Sequence, residues 1–306
     1  MPFTWWILLV IFGILDSVAA YILNMCILAA SIQNLKTGER LNPPDLIHLV
    51  IGAVNIVFQC LLVSQGILTV FFTYLMFIRE IFVPAMVSTL TLMYFIYWLT
   101  AWLCIYYCVT IPNFNHPLFV WSKRKISMYL PRLLLITAAG CFFISLPTIW
   151  IVNVNITQQS AGNSTCDPTV ISGTFSFQPS YIQTASFIGC FLPFLLILVS
   201  NLMTGSSLLG HICKMRQNDS GLSQAKDQAH INAIRTIFRF ISMSIIFYIN
   251  AVLFFSVSIN PEDPQIIVHW LIFMSFPTSQ SLNIIYSNPK LRKHFVVKFP
   301  SFERKL

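Results

Sequence analysis

Ten acidic residues, six histidines and eight cysteines are what this chain of 306 residues offers for acid–base, metal or nucleophilic chemistry. The carboxylates are Asp16, Glu39, Asp45, Glu80, Asp167, Asp219, Asp227, Glu262, Asp263 and Glu303. Only Asp16 falls well inside an apolar run, and Glu80 sits at the edge of one, so no two carboxylates share a protected site as general acid–base chemistry requires. There is no His-x-x-x-His spacing for zinc and no Gly-Lys-Ser phosphate loop. A proton or ion pump would carry several charges within the membrane. The residues therefore imply no metal, no cofactor and no enzyme. Asp16 keeps two readings: a functional polar contact or cation partner inside the bundle, or a bland position near outer water or beside a group such as Asn55.

The elements that hold these residues are set by composition. The chain is 56% hydrophobic, 14% aromatic and 9% charged, where a soluble domain carries about 25% charged residues. So few charges cannot coat a soluble globule of this size. A hydrocarbon core of about 30 Å needs roughly 20 apolar residues of helix. Seven such runs are present, at about 5–31, 46–72, 81–109, 129–152, 181–212, 233–257 and 265–287. They are too long for barrel strands and lack strict alternation, so the fold class is an all-α membrane bundle of seven helices. Residues 1–306 form one transmembrane domain, with 288–306 as a cytoplasmic helix and tail. Ser17-Val18-Ala19-Ala20 mimics a signal-peptide cleavage site. No basic residue precedes it and the apolar run continues to Ala30, so the first run is a retained span.

Basic residues orient the chain. Loops 32–45, 110–128 and 213–232, the helix starts beside them and the tail hold 17 of the 18 Lys and Arg. Only Arg79 lies on the other side. The N-terminus is thus outside and the tail in the cytosol. The net charge of +8 is a topology signal and a surface for anionic lipid, not a nucleic-acid footprint. The sequons at Asn155 and Asn163 both fall in the long outer loop 153–180, where glycosylation is expected. After the seventh run, Asn288 caps and Pro289 opens a short amphipathic helix that would lie on the inner leaflet. Leu291, Phe295, Val296 and Phe299 would then face lipid. A frayed basic tail is the alternative.

Seven helices with short loops and no catalytic set point to a ligand-sensing receptor, but rhodopsin-like hallmarks are missing. The third run ends in Tyr106-Tyr107-Cys108, and the seventh in Asn288-Pro289-Lys290. Seven of the cysteines lie in or at the ends of spans, while Cys166 stands alone in the outer loop. Many seven-helix receptors tie that loop to the outer end of the third helix, which here reads Phe82-Val83-Pro84-Ala85. No disulfide is expected, and Cys166 is read as a lone thiol.

Other motifs do fit a family. Ser207 to Met215 resembles the Ser-Leu-x-x-His-x-x-x-Met end of helix five in type 2 taste receptors, the bitter receptors. His230 to Arg235, followed by Phe240, is similar to their helix-six entry, and Ser281, Asn288, Lys290, Leu291 and Arg292 resemble their ending. Trp98, Tyr107, Ile111, Asn113, Phe114, Phe119 and Lys123 fall at the spacing of helix three and the second inner loop. The chain departs from the family pattern at Ser31, Asn55, Thr110 and Gln280, so its polar network must be rebuilt, with Asn24, Asn55, Ser281 and Asn283 as candidates.

The resemblance implies a plasma-membrane G-protein-coupled receptor. Its partners would be a small-molecule agonist, the lipid bilayer and a heterotrimeric G protein of the Gi/gustducin type. Aligned to the family, the agonist site takes Met86, Thr89, Leu90, Met93 and Tyr94 from helix three and Phe187 from helix five. Phe247 and Ala251 come from helix six, and Trp270 and Phe273 from helix seven. For each, ordinary packing or lipid contact stays open. The resulting pocket is apolar and aromatic, suited to planar hydrophobic agonists, with amines still able to use cation–π contact on Trp270. The G-protein face takes Lys123, Lys125, His211, Met215, His230, Arg235 and Lys290. His211 and His230 are read either as a latch between helices five and six or as snorkelling polar residues. A vomeronasal type 1 receptor and a small-solute transporter are the rival readings.

Overall fold

The computed structural model describes residues 3–36, 42–110, 117–159, 170–176, 178–218, 224–256 and 264–298. The long apolar runs become helices: α1 (Phe3–Lys36), α2 (Pro43–Phe71), α4 (Arg79–Thr110), α5 (Pro117–Ser145), α8 (Leu192–Asn218), α9 (Gln224–Ser256) and α10 (Pro264–Ser287). Short turns α3 (Thr73–Met76), α6 (Thr148–Ile151) and α7 (Pro179–Ser186) link them, and α11 (Pro289–Lys298) closes the chain. Among the described residues six helices are long and apolar enough to cross a membrane, as in a multi-pass membrane bundle. The seventh, α10, has the length but not the hydropathy, because its inward face carries Gln280, Ser281 and Asn283.

Without water along a span, each hydroxyl must find its partner in the protein. Most donate to the carbonyl one turn back: Ser17 to Gly13 at 2.7 Å, Thr100 to Ile96 at 2.8 Å and Ser244 to Phe240 at 2.7 Å. Lipid-facing positions carry bare hydrocarbon, such as Leu135, Ile136 and Phe143 on α5. α4 is the central post. It packs against α2, α5 and α8, and 61% of its most apolar stretch is buried, against 22% for the span that ends α5. α1 packs on α2 and α10, and α9 bridges α8 and α10.

The fourth apolar run, expected at 129–152, matches the membrane-spanning stretch Met128–Ile151, but the helix around it is differently bounded: α5 starts earlier, at Pro117, and breaks after Ser145, where Pro147 cannot donate to the helix ladder. Within loop 153–180, β1 (Asn153–Gln159) and β2 (Val170–Ser176) pair antiparallel, Asn153 opposite Ser176 and Gln159 opposite Val170. Among the described residues the fold is helical except for this strand pair.

Helix five is not one rod. Between α7 and α8 lies a π-helical turn, Phe187–Phe191, in which the Leu192 N–H donates to the carbonyl of Phe187. Pro193 supplies a reason, since it has no N–H for the α-helical bond to Gly189.

α11 departs from expectation in part. Asn288 caps it as expected, its Oδ1 accepting from the Lys290 N–H at 3.0 Å. Leu291 and Phe295, however, do not face lipid. Both are buried, on a helix that folds back against α1 and α10. Val296 and Phe299 have side chains outside the described residues.

Candidate ligand site

The basic residues Lys36, Lys125, Arg235 and Lys290 mark one end of the bundle. In the other half a cavity opens between α2, α4, α9 and α10. Phe58 and Leu62, one turn apart, reach it from α2. Met86, Thr89, Leu90 and Met93 reach it from α4, at the three- and four-residue steps that put side chains on one face. Phe254 and Phe255 close it from α9, Trp270 and Phe273 from α10. The cavity is tight, about 20 Å³, room for about one water molecule. A drug-sized ligand needs roughly 300 Å³ or more, so occupancy requires the helices to part.

The lining is hydrocarbon, aromatic ring and thioether with two polar interruptions. Thr89 Oγ1 accepts from the Gln65 amide at 2.8 Å, tying α2 to α4. The indole Nε1–H of Trp270 is enclosed and has no hydrogen-bond partner. Within the lining, Phe254 meets Phe273 edge to face, with ring centres 5.3 Å apart. His269 Nδ1 lies 2.8 Å from Asn250 Oδ1, and the Asn250 amide donates to the His269 carbonyl at 3.2 Å, pinning α9 to α10.

Toward the basic end lies a buried amide cluster. Asn55 Nδ2 donates to Asn24 Oδ1 at 3.1 Å and to Gln280 Oε1 at 2.9 Å. Gln280 in turn donates to Thr100 Oγ1 at 2.6 Å, and Ser281 to Asn24 Oδ1 at 2.7 Å. Four helices are joined by side chains alone. Asn283, expected in this cluster, instead donates to Met243 Sδ at 3.4 Å, and Gln280 and Thr100 take part in its stead.

Sequence comparison then decides the family. The taste receptor protein (TAS2R) family matches residues 1–301. Taste receptor type 2 member 143 of Rattus norvegicus is 33% identical over 213 residues, covering 67% of this chain and 69% of its own. Taste receptor type 2 member 40 of Gallus gallus is 24% identical over 288 residues, covering 92% and 91%. Homo sapiens taste receptor type 2 member 9 is 27% identical over 203 residues, covering 65% and 63%. The chain belongs to the taste receptor type 2 family. It is therefore a G-protein-coupled receptor of the bitter taste class, and the vomeronasal and transporter readings give way.

Six of the ten residues assigned from the taste receptor pattern line the cavity: Met86, Thr89, Leu90, Met93, Trp270 and Phe273. Tyr94, Phe247 and Ala251 are buried nearby without lining it. Phe247 packs edge to face on Phe276 at 4.4 Å. Tyr94 packs on the π turn, so tightly that a Cβ at Gly189 would stand 2.4 Å from its ring. Phe187 is not brought to the cavity: it is 55% exposed and stacks on Phe191. Phe58, Leu62, Phe254 and Phe255 were missed. Phe254 stands three residues beyond Ala251, a helical step that could have flagged it.

At the basic end of this taste receptor, Lys125, Arg235 and Lys290 are exposed. The side chains of Lys123, His211, Met215 and His230 lie outside the described residues, so the latch between helices five and six is not visible. A link the sequence did not suggest is visible there: the Arg239 guanidinium sits 4.8 Å from the centre of the Tyr286 ring, joining α9 to α10. Asn155 falls on β1. Asn163 and Cys166 lie outside the described residues, and no disulfide joins the described cysteines. Asp16 Oδ2 is enclosed without a hydrogen-bond partner, and the Asp16 carbonyl accepts from Thr278 Oγ1 at 3.2 Å. Asn55 is not its partner, being bonded to Asn24 and Gln280.

Proposed function

We propose that this receptor spans the plasma membrane seven times, N-terminus outside, and answers small hydrophobic bitter compounds by activating a Gi/gustducin-type G protein. In this reading residues 1–306 form one transmembrane domain, with 288–306 as its cytoplasmic helix and tail. α10 is the seventh span, its polar residues turned inward to the amide cluster. The observation that carries the reading is the cavity itself. Residues assigned by the family pattern on two separate helices, α4 and α10, meet around one apolar space.

The chemistry is that of an apolar space. An agonist gains about 25 cal/mol for each Å² of apolar surface it buries, plus stacking on Trp270 and the phenylalanines. It stabilises the active state only by binding that state better. An agonist that widens this tight cavity shifts helices α9 and α10 relative to α4. Their basic ends, with Lys123, Lys125, His211, Met215, His230, Arg235 and Lys290, form the G-protein face. Asn155 and Asn163 carry glycans outside.

The test is calcium mobilisation in cells expressing the full chain with a chimeric G protein, challenged with a broad panel of neutral apolar bitter compounds. A dose-dependent response that vanishes without the receptor is expected. Silence across the panel, at confirmed surface level, would overturn the reading.

A further inference from the structure

Among the described residues nine buried side-chain polar atoms lack a hydrogen-bond partner, and the Trp270 indole Nε1–H is the one that belongs to a residue lining the cavity. An unpartnered buried donor is uncommon in a folded protein, because it forfeits its hydration without recompense. Gly66 on α2 lies beside it, where a Cβ would stand 3.6 Å from the indole nitrogen. With glycine at residue 66, no side chain of α2 at that position offers the indole an acceptor. The other polar lining atom, Thr89 Oγ1, already accepts from Gln65. No residue of the lining is charged.

We infer that Trp270 is a specificity-determining residue whose indole N–H donates to a hydrogen-bond acceptor on the agonist. The receptor thereby selects neutral apolar molecules bearing a carbonyl, such as ketones, esters and lactones, over hydrocarbons of the same shape and over amines. This rests on the cavity being the agonist site, as proposed above. A hydrocarbon fills the space but leaves the donor unpaired. A protonated amine brings only donors and must shed its water with no carboxylate in the lining to receive it. The ring face remains open to a cation, but cation–π contact there leaves the N–H as it was.

The experiment uses three probes with one carbon cage: 2-norbornanone, norbornane and 2-aminonorbornane. In the calcium assay the ketone should act at about tenfold lower concentration than the hydrocarbon, the yield of one buried hydrogen bond, with the amine weakest. Replacing Trp270 with 3-benzothienylalanine by nonsense suppression keeps the bicyclic shape and removes only the N–H. That change should erase the gap between ketone and hydrocarbon while leaving the hydrocarbon where it was. Gly66→Ser offers the indole an acceptor of its own and should weaken the ketone about tenfold. Gly66→Ala fills the same space without an acceptor and should keep the gap. Equal potency of ketone and hydrocarbon, or a gap that survives the isostere, overturns the inference. A receptor that answers the broad panel but ignores the ketone also overturns it and leaves the receptor reading standing. Silence to every compound defeats both.

Discussion

The cavity and the amide cluster lie within a few turns of each other, yet they treat polar groups in opposite ways. In the cluster every side-chain amide nitrogen has a partner: Asn24 Nδ2 on the Ala20 carbonyl, Asn55 Nδ2 on two acceptors, Gln280 Nε2 on Thr100. In the cavity the Trp270 N–H has none. Asn55 Oδ1 in the cluster is also without a partner, so it is the donors that differ. Donors that meet acceptors hold helices together, and the indole donor left open at the cavity is a place for an acceptor on a ligand. The contrast separates scaffold from site.

The contrast can be broken hardest at Asn24. Its Oδ1 receives both Asn55 and Ser281, so Asn24→Leu removes two interhelical hydrogen bonds at once, leaving Asn55 with Gln280 and Ser281 with the Pro277 carbonyl. A loss of about 1–3 kcal/mol is expected from the two bonds. Thermal unfolding of the purified receptor would read it, and surface level should fall in parallel. An unchanged melting temperature would mean that the cluster is ornament.

Leu90→Ala tests the other region. Leu90 is 2% exposed but borders space already open, so its loss should cost about 2 kcal/mol, the low end for a buried leucine. The wider cavity should favour bulkier agonists. A cost near 5 kcal/mol, with no change in agonist size preference, would place Leu90 in the scaffold.

Thr89→Val sits between the regions. It keeps the shape and removes the acceptor for Gln65, whose side chain is itself buried. About 1–2 kcal/mol should be lost from stability. The freed Gln65 amide becomes a second donor near the cavity, so carbonyl agonists should gain potency relative to hydrocarbons. Dose–response curves for the matched ketone and hydrocarbon would show whether the ratio moves.

How far the sequence reached differs between the two regions as well. Seven apolar runs could be read from the sequence because lipid accepts only long apolar helices. The run that became α10 is the least apolar of them, since Gln280, Ser281 and Asn283 are buried in the bundle. Asn24, Asn55 and Ser281 could be grouped from the sequence because amides inside a span need partners. Gln280 and Thr100 could not, since their pairing depends on how two helices cross. On α4 Met86, Thr89, Leu90 and Met93, taken from the family pattern, share one wall of the cavity, because α4 stays α-helical through that stretch and their spacing keeps them on one face. Pro84 lies in its second turn, before the cavity.

Phe187 shows where such a pattern falls short. It too was taken from the family pattern, which carries no information on a local change of helix geometry. The π turn from Phe187 to Phe191 puts five residues where an α-helix has four, turning α7 by about 100° against α8. Phe187 thereby leaves the cavity and stacks on Phe191, while Gly189 meets the Tyr94 ring. Phe187→Ala should accordingly be the mildest of these changes, within about 0.5 kcal/mol in stability. Agonist potency should stay where it was, although Phe187 was named alongside Leu90 from the sequence. A clear loss of potency at unchanged surface level would show that helix five straightens when agonist binds, carrying Phe187 inward. The outward ring would then mark the resting state of a moving wall, and the line between scaffold and site would run through helix five itself.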